Sequence, residues 1–377
     1  MTKELKRCTR CVMDTTDTLI TFDSDGVCDH CRTFETSILP SWNFGKGKTE
    51  ELRKITDKIK LDGHGKNYDC LLGLSGGVDS SYLCYLAHRL GLRPLIFHVD
   101  AGWNTKIAVN NIEKLVDKLN LDLYTEVINW EEMRDLQIAF FKSGVSHIDT
   151  PQDHAFFATM YRFAEQNNIR YILTGANYST ECIRNPIEWM YYQSDSAQLT
   201  DIHRRFGKIP LKTFPQTNIL RHKILLPYYK KIKVIDLLNY IDYQKELAWQ
   251  LLEESFGWAR YEQKHFESAF TRFYEGYWLT KRFGFDVRKP QFSSLILTGQ
   301  LSRDEALRRL MKSPLDKDTE KREVDFVKNK LGISTSQFDE FFHLPKKSYK
   351  DYKSQEYIYR LGAYAQKLIG LQKGGKR

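Results

Sequence analysis

The chain has 377 residues, of which 41% are hydrophobic, so it is long and apolar enough to bury a large core. This composition excludes a disordered protein and predicts two or three folded modules. No apolar run is long enough to cross a bilayer, and the first eleven residues are polar and basic, so we expect a cytoplasmic protein that does not insert into membranes. The net charge of +9 favours a phosphate-rich substrate or partner, and nucleotides, nucleotide-sugars and RNA all fit it.

Two Cys-x-x-Cys pairs open the chain, formed by Cys8, Cys11, Cys28 and Cys31. Sixteen residues separate the pairs, a spacing at which four thiolates enclose one tetrahedral zinc ion. The odd total of seven cysteines argues against a disulfide framework. A shell of four cysteines leaves no position for water, so we expect a structural zinc ion that stabilises a small module of residues 1–48. An iron-sulfur cluster is the alternative occupant, and His30, between two of the cysteines, is expected to be a bystander.

After a Gly/Lys-rich bridge at residues 44–48, short apolar runs alternate with helical segments between residues 49 and 242. This alternation predicts an α/β domain, in which a doubly wound parallel sheet is covered by helices on both faces. The predicted strands are residues 69–74, 94–99, 123–128, 170–174 and 223–226. Residues 243–377 lose the strand pattern and are predicted to form a helical C-terminal region for the substrate or a partner, ending in a basic tail at residues 373–377.

The segment after the first predicted strand opens a helix and reads Ser75-Gly76-Gly77-Val78-Asp79-Ser80-Ser81. Its glycines permit positive φ angles, and backbone amides and hydroxyls at a helix start can bind phosphate oxygens. It is not a Walker A loop, because no Gly-Lys-Ser/Thr stands at the required spacing. It resembles the PP-loop of the ATP pyrophosphatase superfamily, whose SGGxDS motif is complete here. The resemblance implies an adenine nucleotide alpha hydrolase-like fold, ATP and Mg2+ as cofactors, and cleavage of ATP between its α and β phosphates.

Later segments resemble the same superfamily. His98 and Asp100 end the second predicted strand, where the resemblance implies contacts to adenine or ribose. Gly175 and Asn177 follow the fourth predicted strand, at the carboxyl edge where doubly wound sheets bind ligands. Residues 224–227, followed by several lysines, resemble the closing strand of the superfamily.

Longer motifs resemble the N-acetyl sugar amidotransferases of bacterial surface-polysaccharide and lipopolysaccharide biosynthesis. They are the four-cysteine head, the loop at residues 75–81, and residues 98–104, 149–154, 173–177, 264–268, 271–274 and 281–288. This resemblance covers nearly the whole chain. It implies that the acetamido oxygen of a nucleotide-linked sugar is adenylated and then replaced by ammonia, which gives an acetamidino sugar for an O-antigen or a related surface glycan.

The same resemblance implies a source of ammonia outside this chain. Ammonia at neutral pH is mostly ammonium, which has no lone pair for attack, so a neutral supply must reach the site out of water. None of the cysteines stands in the nucleophile-elbow context expected of a glutaminase. The family implies a separate glutaminase subunit resembling that of histidine biosynthesis, with a cyclase-like barrel protein as the ammonia conduit.

Four residues are candidates for catalysis in this family: Asp79, Asp153, Lys264 and Glu267. Asp79 is expected to bind Mg2+, with helix capping as the alternative. Lys264 or Arg272 is expected to offset phosphate charge, and Glu267 to take a proton from ammonia, with a solvated helix face as the alternative. Asp153 is expected in the substrate site, with helix N-capping as the alternative.

Two rival interpretations come from other classes of protein. One is a tRNA-modifying enzyme of the same superfamily, which adenylates a base oxygen and replaces it with sulfur. Only Cys182 lies near a predicted strand end, and no further Cys-x-x-Cys pair follows it, which argues against sulfur insertion. The other is a zinc-ribbon nucleic-acid-binding module without enzymatic activity, which fits poorly with an intact phosphate loop. We therefore expect no nucleic-acid partner.

Overall fold

Five parallel strands form the centre of the molecule. The computed structural model of the chain describes residues 5–42 and 48–368, so residues 44–47 of the predicted Gly/Lys-rich bridge and the basic tail at 373–377 lie outside the described residues. The strands are β1 Cys70–Gly73, β2 Pro94–Asp100, β3 Leu123–Val127, β4 Tyr171–Leu173 and β5 Lys233–Ile235. Their order is β3-β2-β1-β4-β5, and each neighbouring pair is parallel. The predicted parallel α/β fold is confirmed.

The helices divide into those before β5, which accompany the sheet, and those after it. Before β5 lie α1 Asp29–Thr33, α2 Leu39–Trp42, α3 Lys48–Asp62, α4 Val78–Arg89, α5 Lys106–Leu119, α6 Trp130–Ser143, α7 Thr150–Gln166, α8 Tyr178–Glu181 and α9 Ser196–Phe206. After β5 lie α10 Lys245–Phe256, α11 Ala269–Phe273, α12 Arg288–Leu297, α13 Arg303–Leu310, α14 Lys317–Leu331, α15 Thr335–His343 and α16 Glu356–Leu368. Wider π-helical turns span Phe34–Ile38, Arg221–Tyr229 and Tyr274–Phe283, and 3-10 turns span Leu237–Tyr240 and Tyr349–Asp351. The C-terminal region is helical, as predicted.

Four of the five predicted strands are present, but the fifth prediction is wrong. Residues 223–226 lie inside the π-helical segment Arg221–Tyr229, and the edge strand β5 follows at Lys233–Ile235. A short apolar run is compatible with a strand or a helix, because periodicity cannot distinguish them over so few residues. The true strand has three residues and pairs only with β4, so it leaves little pattern in the sequence.

Successive residues of β1 point to opposite faces of the sheet, as the pleat requires. Leu71 packs in one buried cluster with Met160 and Ala164 of α7. Leu72 packs in another, with Leu83 of α4 and partners from α5 and α10. Both faces of the sheet are therefore covered, and its carboxyl edge is the part left for the loops that bind ligands.

A second core, rich in aromatic rings, joins the C-terminal helices to α6. Phe141 packs edge-on against Trp278 at a centroid distance of 4.8 Å, and Trp103 packs against Phe270 at 4.9 Å. Trp103 leads directly from β2 into this core and is 1% exposed. The C-terminal region is thus packed onto the end of β2 and not tethered loosely to the sheet.

The four-cysteine head docks on the C-terminal helices and on α8. Arg303 donates hydrogen bonds to the carbonyl oxygens of Cys8 at 2.9 Å and Cys11 at 3.1 Å. The ammonium group of Lys289 lies 2.7 Å from the buried carboxylate of Asp14. Within residues 5–42 and 48–368, no helix combines the length and the apolar character that a membrane crossing needs.

Candidate active site

The loop between β1 and α4 is held in one shape by its own small residues. Gly76 has a φ of +83°, and a Cβ there would lie 2.7 Å from the carbonyl oxygen of Ala108, so a larger residue cannot fit without moving backbone. The hydroxyl of Ser75 accepts from the amide of Gly77 at 3.2 Å, and the hydroxyl of Ser80 accepts from the amide of Ser75 at 3.3 Å. The loop ends at the N-terminus of a twelve-residue helix, where the helix dipole favours anions.

Two residues support the loop from the C-terminal region. The hydroxyl of Ser81 is buried and accepts from the indole nitrogen of Trp258 at 3.1 Å, so it lies behind the loop surface. The hydroxyl of Tyr261 donates to the carbonyl oxygen of Gly76 at 3.2 Å. Both contacts join segments that are far apart in the sequence.

The loop after β4 closes the other side of the crevice. A Cβ at Gly175 would lie 2.8 Å from the backbone nitrogen of Ser80, so glycine allows this loop to touch the start of α4. The side chain of Asn177 accepts from the amide of Thr180 at 2.9 Å and donates to the carbonyl oxygen of Gly175 at 3.0 Å. The order of the sheet reverses between β1 and β4, which is where doubly wound sheets bind ligands.

His98 and Asp100 organise the end of β2. The Nδ1 of His98 donates to the carbonyl oxygen of Leu74 at 2.8 Å, which leaves Nε2 to accept from the side-chain amide of Asn104 at 2.8 Å. Burial lowers the pKa of His98, so the ring is neutral near pH 7. The carboxylate of Asp100 accepts from the amide of Gly102 at 2.7 Å. The structure therefore gives both residues positioning contacts beside the crevice.

Asp79 and Lys264 form a buried ion pair under the loop. Lys264 Nζ lies 2.9 Å from Asp79 and 2.7 Å from Glu181, and the hydroxyl of Tyr243 donates to Asp79 at 2.6 Å. Burial favours the neutral forms, but Lys264 and Lys245 together lower the pKa of Asp79, and the two carboxylates raise the pKa of Lys264. Both partners are therefore charged. The helix-cap alternative for Asp79 is wrong, because Gly77 occupies the cap position of α4.

Sequence reasoning did not single out Tyr243 or Lys245. Burial lowers the pKa of Lys245 to about 8, and repulsion from Lys264 adds to this effect. Two buried ammonium groups thus lie near the carboxylates of Asp79, Glu181 and Glu267 under the loop. A motif search would not find these residues, because they belong to α10 and the turn before it, and not to the loop.

Glu267 reaches the loop from the start of the C-terminal helical region. Its carboxylate accepts from the hydroxyl of Ser75 at 3.2 Å, and a Cβ on Gly77 would come within 2.7 Å of the same oxygen. The backbone carbonyl of Glu267 accepts from the amide of Thr105 at 3.0 Å, so this segment is pinned beside the end of β2. Lys264 and Glu267 therefore belong to the crevice, and the alternative of a solvated helix face is wrong for both.

Arg272 does not join Lys264 at the loop. Its guanidinium lies 2.6 Å from the carboxylate of Glu323 on α14, inside the C-terminal region. The expectation that Arg272 offsets phosphate charge is wrong, because a buried partner already holds its charge elsewhere.

Asp153 lies in the first turn of α7, one turn past the true cap position, which Asp149 occupies. The N-cap alternative for Asp153 is therefore wrong. Asp149 accepts from the hydroxyl of Thr271 at 2.8 Å and from the side chain of Gln152 at 3.1 Å, and Gln152 in turn accepts from the hydroxyl of Ser268 at 3.2 Å. This buried network runs directly behind Glu267. Its members lie in three of the motifs noted in the sequence, residues 149–154, 264–268 and 271–274, but the sequence gave no sign that they meet.

The four head cysteines converge on one point, and all are buried. Their sulfur atoms lie within 4.8 Å of one another. The separation is 3.6 Å between Cys11 and Cys28 and 3.9 Å between Cys8 and Cys31. A zinc–sulfur bond of about 2.3 Å places the thiolates of a tetrahedron about 3.8 Å apart, so the arrangement fits zinc. His30 hydrogen-bonds Asp17 at 2.8 Å and is the bystander that was predicted.

Comparison with known proteins supports this organisation. Residues 267–366 match the family model described as LPS biosynthesis protein WbpG-like, C-terminal domain. This match confirms, for the C-terminal region, the family resemblance seen in the sequence. A curated relative, GMP synthase [glutamine-hydrolyzing] of Chlamydia muridarum, is 28% identical over 189 residues, which is 48% of this chain and 32% of the relative. The chain thus spans about a third of the length of that relative.

Three solved structures share a more distant similarity. An NH3-dependent NAD synthetase from Campylobacter jejuni is 19% identical, with a TM-score of 0.28, and the match covers 36% of this chain and 59% of that one. An NMN synthetase from Francisella tularensis is 16% identical, with a TM-score of 0.29, and the match covers 58% of this chain and 90% of that one. The U34-tRNA thiolase NcsA from Methanococcus maripaludis, with its [4Fe-4S] cluster, is 14% identical, with a TM-score of 0.32, and the match covers 81% of this chain and 88% of that one. The order of the sheet and the geometry of the loop define the fold independently of these values.

Proposed function

We propose, from the WbpG-like domain at residues 267–366, that the chain is an ATP-dependent amidotransferase acting on a nucleotide-linked N-acetylated sugar. The acetamido oxygen attacks the α phosphorus of ATP, the bond between the α and β phosphates breaks, and pyrophosphate leaves. Ammonia then adds to the activated carbon, the carbon–oxygen bond breaks, and AMP departs with the former acetamido oxygen. The product is an acetamidino sugar for lipopolysaccharide O-antigen or a related surface glycan.

The contact between the family-matched region and the phosphate loop carries this proposal. Glu267 is the first residue of the matched region, and its carboxylate bonds Ser75 at 3.2 Å. Lys264, three residues earlier, bonds Asp79 at 2.9 Å. A loop suited to pyrophosphate and a domain similar to a lipopolysaccharide-synthesis protein therefore share one crevice, as a reaction joining ATP to a sugar requires.

The residues of the crevice supply the electrostatics of this reaction. The amides of Gly76 and Gly77 hold the departing pyrophosphate, and Lys264 offsets its charge. In this proposal Glu267 takes a proton from the attacking nitrogen, and Asp153, whose charge acts on the nearby Asp149, contacts the sugar. Asp79, with Glu181 across Lys264, offers the one or two carboxylates that Mg2+ usually accepts beside phosphates, and the ion would supply further positive charge to the leaving group.

The head module fits a structural role for zinc. Its four thiolates leave no position for water or substrate, and it packs through Arg303 and Cys182 onto elements of the other regions. Zinc in this module therefore stabilises α8, which follows the Gly175 loop, from outside the crevice.

The ammonia source in this proposal is a separate glutaminase, joined through a barrel-like conduit. All seven cysteines lie in the described part of the chain: four form the metal cluster, and Cys70, Cys84 and Cys182 are buried. Burial raises the pKa of Cys84 and of Cys182 to about 12, so neither thiol is a thiolate at neutral pH. A glutaminase needs an accessible, activated cysteine, and these sites do not provide one.

The same cysteines disfavour the tRNA-thiolation alternative. Cys182 is the cysteine that follows the Gly175 loop, and its thiol points to the carbonyl oxygen of Ser294 at 3.8 Å. It packs with the metal head and not with the crevice. Sulfur transfer by this residue would require a change of fold around it, whereas the amidation proposal uses the arrangement as it stands.

The deciding experiment follows one oxygen atom. The chain is incubated with MgATP, ammonium chloride and a panel of UDP- and CMP-linked acetamido sugars whose acetamido oxygen carries a heavy isotope. We expect one sugar to gain NH in place of oxygen by mass spectrometry, with the label recovered in AMP. An Asp79→Asn variant serves as the control for loop-dependent turnover. Release of ADP, or recovery of the label in phosphate, contradicts the proposal, and AMP release only with added tRNA favours thiolation.

A further inference from the structure

Three protein acceptors surround the ammonium group of Lys264. Its nitrogen lies 2.9 Å from Oδ2 of Asp79 and 2.7 Å from Oε1 of Glu181, and it donates to the hydroxyl of Thr180 at 3.1 Å. A lysine ammonium carries three N–H groups, so each acceptor takes one of them. The side chain is 9% exposed. In this arrangement Lys264 therefore keeps no N–H group in reserve for a phosphate.

The carboxylate of Asp79 is engaged on both of its oxygens. Oδ2 lies 2.9 Å from the ammonium of Lys264, and Oδ1 accepts from the hydroxyl of Tyr243 at 2.6 Å. Direct binding of Mg2+ brings a carboxylate oxygen to about 2.0–2.1 Å from the ion. A donor that already holds that oxygen competes with the ion for it. Direct binding of Mg2+ to Asp79 therefore requires that one of these two donors moves.

Lys264 is the donor that is better placed to move. Tyr243 is 1% exposed, and its ring packs against Tyr82 at a centroid distance of 5.3 Å, so the core fixes its hydroxyl. Lys264 lies between α10 and α11, outside both helices, and its four-carbon stem allows the ammonium to turn. An ammonium that stayed beside Asp79 would repel a divalent ion, whereas exchange of one cation for the other keeps the carboxylate neutralised.

We propose that Lys264 is a placeholder for Mg2+ at Asp79 and Glu181 and leaves both carboxylates when MgATP binds, an inference that rests on the Mg2+ role in the proposed function. Without nucleotide, the ammonium neutralises the two carboxylates and excludes a metal ion. With MgATP, Lys264 turns its released N–H groups towards the phosphates, and Asp79 becomes a ligand of the ion. The carboxylates have a cation in both states, so no buried charge is left alone.

This exchange couples the metal ion to the nucleotide. Mg2+ alone would have to take Asp79 from Lys264 and leave the ammonium without its three acceptors, which is unfavourable for a side chain that is 9% exposed. Phosphate oxygens supply replacement acceptors, so the ammonium can leave the carboxylates without losing its hydrogen bonds. The metal ion and the phosphates therefore bind together, and each raises the affinity for the other.

Lys245 provides a matched control for this role. Its charge acts on Asp79, but in the part of the chain that the structure describes it forms no ion pair. Its ammonium instead lies 4.7 Å from the centre of the Trp249 ring. Lys245→Met thus removes the same charge from the same neighbourhood as Lys264→Met, while Lys264 keeps its hold on Asp79.

Binding of Mn2+ without nucleotide, followed by electron paramagnetic resonance, tests the placeholder. Mn2+ accepts the same oxygen ligands as Mg2+. We expect Lys264→Met to bind Mn2+ about tenfold or more tightly than the wild type and Lys245→Met. Adding Asp79→Asn to Lys264→Met should remove the gain. Lys264→Gln is measured beside it, because its amide keeps a donor for the carboxylates and so keeps more of the stability. Equal affinity in the wild type and both Lys264 variants, or an equal gain in Lys245→Met, overturns the inference.

A second measurement follows Asp79 in the wild type. The protein carries an isotope label on its aspartate carboxyl carbons, and Mn2+ is bound together with a non-hydrolysable ATP analogue. Electron–nuclear double resonance then detects labelled carbons next to the metal ion. We expect one such coupling in the wild type and none in Asp79→Asn, because the oxygen that Lys264 held has become a metal ligand. A wild-type complex without an aspartate coupling contradicts the exchange.

Neither measurement contains a sugar or ammonia, so the two proposals fail separately. If no acetamido sugar gains NH in the isotope experiment, the proposed function is refuted, and a Mn2+ gain specific to the Lys264 variants still stands. If the Lys264 variants show no gain, the placeholder is refuted, whatever the sugars show.

Discussion

Replacement of Lys264 by methionine tests the ion pair that joins the C-terminal region to the phosphate loop. The side chain of Lys264 is 9% exposed, and that of Asp79 is 13% exposed, so loss of the lysine leaves a buried carboxylate with the hydrogen bond from Tyr243 and the charge of Lys245. Removal of one partner of a buried pair typically costs about 3–5 kcal/mol. Glu181 is 40% exposed and can turn to water, so its loss of the lysine adds little. We therefore expect a cost near the lower limit, about 3 kcal/mol.

Urea unfolding followed by circular dichroism measures this cost, and a double variant explains its origin. Asp79→Asn in the Lys264→Met background removes the stranded charge, so it should restore most of the lost stability. The pKa of Asp79 is lowered in the folded protein, so its contribution is present above the ordinary value of 3.8 and is lost as the pH falls below it. The reasoning is refuted if Lys264→Met costs under about 1 kcal/mol, or if the double variant is no more stable than the single one.

Three further predictions follow from the glycine contacts, the metal head and the buried histidine. Gly175→Ala should weaken MgATP binding in calorimetry by about tenfold or more, since overpacking costs about 1–3 kcal/mol, whereas Gly276→Ala, crowded by the side chain of Leu315 away from the loop, should not. Cys11→Ser should abolish stoichiometric metal by elemental analysis and lower the Tm, and Cys70→Ser should retain the metal. Burial lowers the pKa of His154 to about 4, so stability should fall by up to about 3 kcal/mol as the pH drops from the unfolded value of 6.5 towards 4, and His154→Gln should lose less in the same unfolding series. An equal acid response of both proteins would contradict this.

The features that could be predicted from the sequence are those determined by local sequence pattern. Strands β1, β2 and β4 are mainly buried runs bounded by turns, and the positive φ of Gly76 is a local requirement of its loop. The cysteine spacing likewise predicted that four thiolates meet. In contrast, the edge strand β5 has three residues and lies next to a more apolar run that became π-helical, so local pattern favoured the wrong segment.

The features of the site that the sequence did not predict depend on contacts between segments that are far apart in the chain. Sequence position places Lys264 and Arg272 in neighbouring motifs with equal charge, yet one reaches Asp79 and the other Glu323. The direction of the helix after Ser268 determines which of these two residues faces the loop, and tertiary packing determines that direction. Tyr274 is predictable as a core aromatic, but only the structure shows that its hydroxyl has no hydrogen-bond partner among the described residues.

The residues that support the phosphate loop are synthesised long after the loop itself. The hydrogen-bond partner of Ser75 is Glu267, 192 positions later in the chain, and that of Ser81 is Trp258, 177 positions later. Strand and helix on either side of the loop can form early, since their contacts are nearer in the chain. The phosphate loop therefore gains these two supporting contacts only after residue 267 has been synthesised.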